Sequence, residues 1–151
     1  MNIIEILAAT HTCAQVKSDS KKSALEKISQ LLTQNNESIT SKEVLNALID
    51  REKLGSTAIG YGVAIPHARI DGLTKPVGAL VQLHQAVHFD TPDDEGVDLL
   101  FGLLMPMECS DEQLKILALL AELFSAESFR DQLRAAKDNE NLYDIAIGQL
   151  S

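Results

Sequence analysis

The chain has 151 residues, 45% of them hydrophobic and 23% charged, with 22 Asp and Glu against 13 Lys and Arg for a formal net charge of −9. Length and apolar share describe one globular domain with its own core rather than a disordered tail. So acidic a surface repels phosphate backbones and anionic lipid, and aromatics at 4% with no Trp supply few stacking platforms, which argues against nucleic-acid binding and membrane insertion.

The opening MNIIEILAATHTC has one short apolar stretch, no leading Lys or Arg and an acid at Glu5, unlike a secretory leader. The run LLFGLLM at 99–105 is far below the ~20 residues that a membrane-spanning helix needs. Cys13 and Cys109 lie far apart in no metal or redox motif, so reduced thiols and a cytoplasmic location are expected.

In chain order, residues 20–34 place Ala24, Leu25, Ile28, Leu31 and Leu32 on one helical face, with Ser18 or Asp19 available as cap. The next stretch, TSKEVLNALIDREKLG, has Thr40 and Glu43 at capping-box spacing and a helix ending near Gly55. Arg51 and Lys53 fall in its last turns, where basic residues suit the helix dipole. Residues 58–65 read as a short strand broken by glycine, 77–83 as a strand, and 98–106 as a strand buried on both faces and ended by Pro106. TPDDEG at 91–96 is a turn that can join two of these strands. SDEQLKILALLAELF begins with Ser110 and Gln113, again at capping-box spacing, and two short helices follow around 126–136 and 139–149, the second capped by Asn139. The alternation predicts an α/β or α+β domain with a mixed central sheet flanked by helices.

Four histidines offer chemistry: His11, His67, His84 and His88. His84 and His88 suggest a metal pair, but residues four apart on a strand sit roughly 13 Å from each other, too far for one ion, so both are read as surface residues and no metal is expected. His67 stands in GYGVAIPHARID (60–71) behind Pro66, which lacks a backbone donor and biases Ile65 toward extended geometry. The strand must end at the proline and present the next side chain at a sheet rim. No hydrolase triad motif, Walker loop or dinucleotide fingerprint is present, so ATP or NAD is not expected as cofactor.

The combination REKLGST (51–57) followed by GYGVAIPHAR (60–69) resembles the enzyme IIA domain of the bacterial phosphotransferase system, mannitol/fructose type, and most nearly its nitrogen-related branch. The likeness extends through SKKSALEKIS (20–29), VDLLFGLLMP (97–106) and RAAKDNENLYDI (134–145). It implies that fold over residues 1–151, no cofactor, and His67 as the residue that accepts a phosphoryl group on Nε2. Two places depart from the family pattern. Ala58 and Ala68 stand where glycine is usual, and Gln113 stands where members often carry a second histidine. A neutral amide donates a hydrogen bond to phosphate but supplies no positive charge.

The chemistry fits the resemblance. An imidazole with an ordinary pKa near 6.5 is largely neutral at cytosolic pH and attacks phosphorus without a separate base. In-line transfer requires positioning and neutralisation of three phosphoryl oxygens. Arg51 is expected to pair with them, and Ser56 and Thr57 are candidate supplementary donors, as is Gln113. The implied partners are a small histidine phosphocarrier protein, charged from phosphoenolpyruvate through enzyme I, and regulatory target proteins. The alternatives are a free-standing enzyme IIA serving a mannitol or fructose permease, and a binding-only regulatory module that never carries phosphate.

Overall fold

In the computed structural model, which describes residues 3–90 and 95–150, helices cover both faces of a mixed sheet. After a short 3-10 turn at Ile3–Glu5 come β1 (Leu7–Val16), α1 (Lys21–Thr33), α2 (Ser41–Lys53), β2 (Ala58–Gly60), β3 (Val63–Ala64), β4 (His67–Ile70), β5 (Val77–Val87), β6 (Val97–Pro106), α3 (Asp111–Phe124), α4 (Glu127–Arg134) and α5 (Asn139–Leu150). The sheet runs β1-β5-β6-β3-β2, with β4 also paired to β6. Strands β1 and β5 are parallel, β5 and β6 antiparallel, β6 parallel to both β3 and β4, and β2 antiparallel to β3.

Strand β6 is the centre of the molecule. Its Leu100 and Leu104 join the core beneath α1 and α2, while Leu99, Phe101, Leu103 and Met105 join the core beneath α3, α4 and α5. Burial on both faces is what a near-continuous apolar run requires, and each leucine taken fully out of water contributes about 1.5–3 kcal/mol. Gly102 interrupts that run for a reason. A Cβ there would come within 2.4 Å of Ile28 Cγ2, so only glycine lets α1 seat on the sheet.

The helix starts differ from the sequence reading in two details. Ser20, not Ser18 or Asp19, caps α1 by accepting the Ser23 N–H at 3.0 Å. At α5 the Asp138 carboxylate accepts the Asn141 N–H at 2.8 Å, and Asn139 instead accepts the Ala14 N–H of β1 at 2.7 Å. Thr40 caps α2 by accepting the Glu43 N–H, the first half of the box its spacing suggests, and Ser110 and Gln113 close the full box on α3.

The strands depart further. β1 is invisible to hydrophobic patterning because LAATHTCAQV is small and polar, and it is built by parallel pairing with β5 at the sheet edge. Buried Gln82 of β5 holds it there, accepting the Gln15 N–H at 2.9 Å while its amide donates to the Leu133 and Arg134 carbonyls at 2.8 and 3.0 Å. β5 itself continues past residue 83 through the exposed His84, Gln85 and Ala86 to Val87. Of the turn expected at 91–96, residues 91–94 lie outside the described residues; the strands it would join, β5 and β6, are antiparallel neighbours. The glycine-broken strand at 58–65 is a tight hairpin, β2 and β3, with Tyr61 at φ 60° and Gly62 at φ 76°, the left-handed pair that a two-residue turn of this twist demands.

Pro66 ends β3 without ending the ladder. Val63 lies opposite Leu99 before the proline and His67 opposite Leu103 after it, in unchanged register along β6. Pro66 has no N–H to give, but its carbonyl accepts the Leu103 N–H at 2.8 Å. The sequence reading stopped the strand at the proline. The structure resumes it one residue later as β4, with His67 first.

Candidate active site

His67 is half-buried at the start of β4, a strand paired to β6 and, among the described residues, to no other strand. Val63 and Ile65 point into the core under α3, so strand alternation turns His67 and Arg69 to that same face. There they line a cleft of about 260 Å³ with Ala68, Met105, and Leu114 and Leu117 of α3. Arg51, from α2 on the opposite face of the sheet, lines the same cleft. It lies in the last turn of α2, and its guanidinium donates to the Gly55 carbonyl at 2.9 Å.

The ring of His67 has a fixed orientation. Nδ1 lies 2.7 Å from the Ile65 carbonyl oxygen. A carbonyl only accepts, so Nδ1 carries the proton of the neutral ring and Nε2 keeps its lone pair. That carbonyl is available because the β2–β3 ladder is broken beside it. The Ile65 N–H donates to the Thr57 carbonyl at 3.1 Å, but the return bond of such a pair is not made. The Thr57 N–H turns instead to the Glu52 carboxylate, at 3.2 and 3.3 Å from its two oxygens. Glu52, its side chain only 5% exposed, also accepts the Thr57 hydroxyl and pairs with Lys21 at 2.8 Å.

Burial holds the His67 pKa below its ordinary value of 6.5, with the Arg51 guanidinium pushing the same way; the Ile65 hydrogen bond and the Glu52 carboxylate oppose them. A ring that resists protonation keeps its nucleophilic nitrogen at neutral pH.

The structure brings together only part of the set named from sequence. His67 and Arg51 share the cleft, whereas Ser56, Thr57 and Gln113 are not among its lining residues. The Ser56 hydroxyl donates to the Phe89 carbonyl at 2.7 Å and accepts the Ala58 N–H at 3.2 Å, tying the loop to the end of β5. The Thr57 hydroxyl proton is engaged by Glu52. Gln113 closes a capping box on α3, its Oε1 accepting the Ser110 N–H at 3.0 Å. Two residues that sequence reasoning did not single out bear on the site: Arg69 lines the cleft, and Glu52, which does not line it, acts on the His67 ring through its charge. Both lie inside the quoted motif, and the two-residue spacing of Arg69 from His67 was the available signal.

The other histidines have separate surroundings. His84 Nδ1 lies 3.2 Å from the Gln15 side-chain oxygen, His88 pairs with Asp90 at 2.9 Å, and the two ring nitrogens of His11 face the Gly78 and Gln34 carbonyls. Among the described residues no group of three or more His, Cys, Asp or Glu side chains is placed to hold a metal ion.

Comparison with known proteins bears directly on this arrangement. Residues 5–147 match the family described as phosphoenolpyruvate-dependent sugar phosphotransferase system, EIIA 2. The chain is 38% identical to a nitrogen regulatory protein of Pseudomonas aeruginosa over 143 residues, covering 95% of this chain and 93% of the relative. The crystal structure of nitrogen regulatory protein IIA-Ntr from Neisseria meningitidis superposes with a TM-score of 0.83 at 37% identity, covering 95% of this chain and 97% of that one. IIA mannitol from Escherichia coli shares the fold at a TM-score of 0.77 and 22% identity, over 95% and 98% of the two chains. The chain therefore belongs to the EIIA 2 family of the phosphoenolpyruvate-dependent sugar phosphotransferase system, as its motif suggested.

Proposed function

We propose that this protein is a phosphoryl carrier of the nitrogen-related branch, taking a phosphoryl group on His67 Nε2 from a phosphohistidine carrier protein and acting in the cytoplasm on regulatory targets. The observation that carries this reading is the 2.7 Å contact from His67 Nδ1 to the Ile65 carbonyl, which leaves Nε2 as the free nucleophile in a cleft that also holds Arg51. The bond from phosphorus to the donor's nitrogen breaks as the bond to Nε2 forms, and Nδ1 keeps its proton on Ile65 throughout. The bound group is then an N-phosphorylated imidazole whose positive ring faces the carbonyl, a contact stronger than the neutral one. Arg51 is not engaged by any carboxylate among the described residues, so its fork is available to the phosphoryl oxygens. Ser56 and Thr57 serve the site by fixing the loop that follows Arg51, and Gln113 by starting α3 beside it.

The branch rests on the relatives: those at 36–40% identity over nearly the whole chain carry the name nitrogen regulatory protein. The deciding experiment incubates the protein with enzyme I, the histidine carrier and phosphoenolpyruvate and reads intact mass. One phosphoryl group on wild type and none on His67→Ala is the expected result. A labelled His67→Ala variant rejects the site, and an unlabelled wild type rejects the carrier reading in favour of a binding-only module. Offering the labelled protein to a mannitol or fructose permease then separates regulator from sugar-transport component, since only the latter hands the group on.

A further inference from the structure

The chain has four arginines, and the structure divides them in two pairs. On α4, Arg130 donates to the Phe124 and Ser125 carbonyls at 3.0 and 2.7 Å, and Arg134 forms a forked pair with Asp98, its Nη2 to Oδ1 at 2.9 Å. Both are bound into the scaffold. Arg51 and Arg69 make no carboxylate pair among the described residues, and both line the His67 cleft. In a protein of net charge −9, two arginines that pair with no carboxylate among the described residues line one cleft with a histidine, a local concentration of positive charge.

The demand at that place exceeds what Arg51 alone supplies. A phosphoryl group brings a charge of about −1.5 to −2 and three acceptor oxygens. Arg51 neutralises one charge and reaches the cleft from α2, while the Gln113 side chain is neutral and its oxygen faces Ser110. Arg69 is two residues beyond His67 on the same face of β4, so their Cα atoms are ~6.6 Å apart and a long side chain spans that gap. Its partner across the ladder is buried Met105, and Arg69 itself is exposed and lines the cleft.

We propose that Arg69 is a second phosphoryl-binding residue of this site, its guanidinium holding oxygens of the group on His67 from the strand while Arg51 holds them from α2. The proposal rests on His67 being the acceptor. It assigns the cationic role that Gln113 lacks to a residue already in the cleft, and it makes Arg69 a catalytic residue rather than a docking contact for the carrier.

The test uses phosphoramidate, a small donor that needs no docking surface. Neutral Nε2 attacks phosphorus, the donor's P–N bond breaks, and ammonia leaves with the electron pair while Nδ1 keeps its proton. Wild type, Arg69→Ala and Arg69→Lys are labelled by phosphoramidate and, separately, by the phosphorylated carrier, with melting temperatures recorded. The proposal expects Arg69→Ala to be labelled about 10- to 100-fold more slowly by phosphoramidate, with partial recovery in Arg69→Lys and no change in melting. Labelling by phosphoramidate at the wild-type rate overturns it, including the case in which only carrier-dependent transfer slows and Arg69 serves docking. A wild type that takes no label from either donor overturns the acceptor reading and this one together.

Discussion

Glu52 accepts two hydrogen bonds from the single residue Thr57, through its backbone N–H and its hydroxyl. This diverts the Thr57 N–H from the β2–β3 ladder and leaves the Ile65 carbonyl for His67. Glu52→Gln keeps an acceptor oxygen but removes the charge that Lys21 and Thr57 share, and loss of a buried, charge-assisted network of this size costs about 1–3 kcal/mol. A urea midpoint shifted accordingly is the expected outcome. Because the carboxylate raises the His67 pKa, the variant's ring should titrate at lower pH than wild type. Unchanged urea midpoint and unchanged titration would remove Glu52 from the account.

Arg51→Ala should leave the fold intact, since among the described residues the side chain makes one hydrogen bond, to the Gly55 carbonyl at the helix end. Phosphoryl transfer should fall by about 10²–10³, the range for losing one preorganised charge-stabilising donor. Single-turnover labelling with melting as control reads both. Arg51→Lys should recover only part of the rate, because an ammonium does not grip two oxygens as a fork does.

Gln113→Ala removes the reciprocal half of the α3 capping box, one hydrogen bond to the Ser110 N–H worth about 0.5–1.5 kcal/mol of stability. Its labelling rate should stay within about threefold of wild type. A loss comparable to Arg51→Ala would mean that the amide reaches the phosphoryl group after all.

His67 also sets a pH dependence. Its folded pKa lies below 6.5, so the unfolded chain binds this proton more readily than the folded one. Stability therefore rises with pH through that window, and the site's contribution is lost as pH falls below 6.5 toward the lowered folded value. His67→Gln should destabilise less than wild type on going from neutral pH to mild acid, as measured by urea unfolding at matched pH values. Equal losses would mean that the ring is as easily protonated folded as unfolded.

These sites differ in how far the sequence exposed them. The helices of the two layers were legible because apolar stripes are local signals, and of their caps Thr40 and Ser110 were legible too, with the full capping box closed on α3. Strand β6 was legible because burial on both faces leaves an uninterrupted apolar run. β1 was not, because an edge strand held by Gln82 and by pairing with β5 carries no apolar period of its own. At the site, the break at Pro66 drew the eye to His67, but the resemblance carried by REKLGST and GYGVAIPHAR singled it out, and the demand of a phosphoryl group for a cation, not the helix end, singled out Arg51. The acceptor for Nδ1 was hidden, since whether the Ile65 carbonyl is spent in the ladder depends on Glu52, thirteen residues earlier in the chain and adjacent only in the fold. The engagement of Ser56 with Phe89 and of Gln113 with Ser110 was hidden for the same reason: residue type reveals donors, and only the fold reveals where they are used.

The central claim is that Nε2 of His67 is the phosphorylated atom while Nδ1 stays protonated on Ile65. Nitrogen-15 NMR of the phosphorylated, histidine-labelled protein reads it directly through phosphorus–nitrogen coupling. The account predicts coupling at one nitrogen, Nε2 of His67, with a protonated Nδ1. Coupling at Nδ1 of that ring, or at His11, His84 or His88, would contradict it.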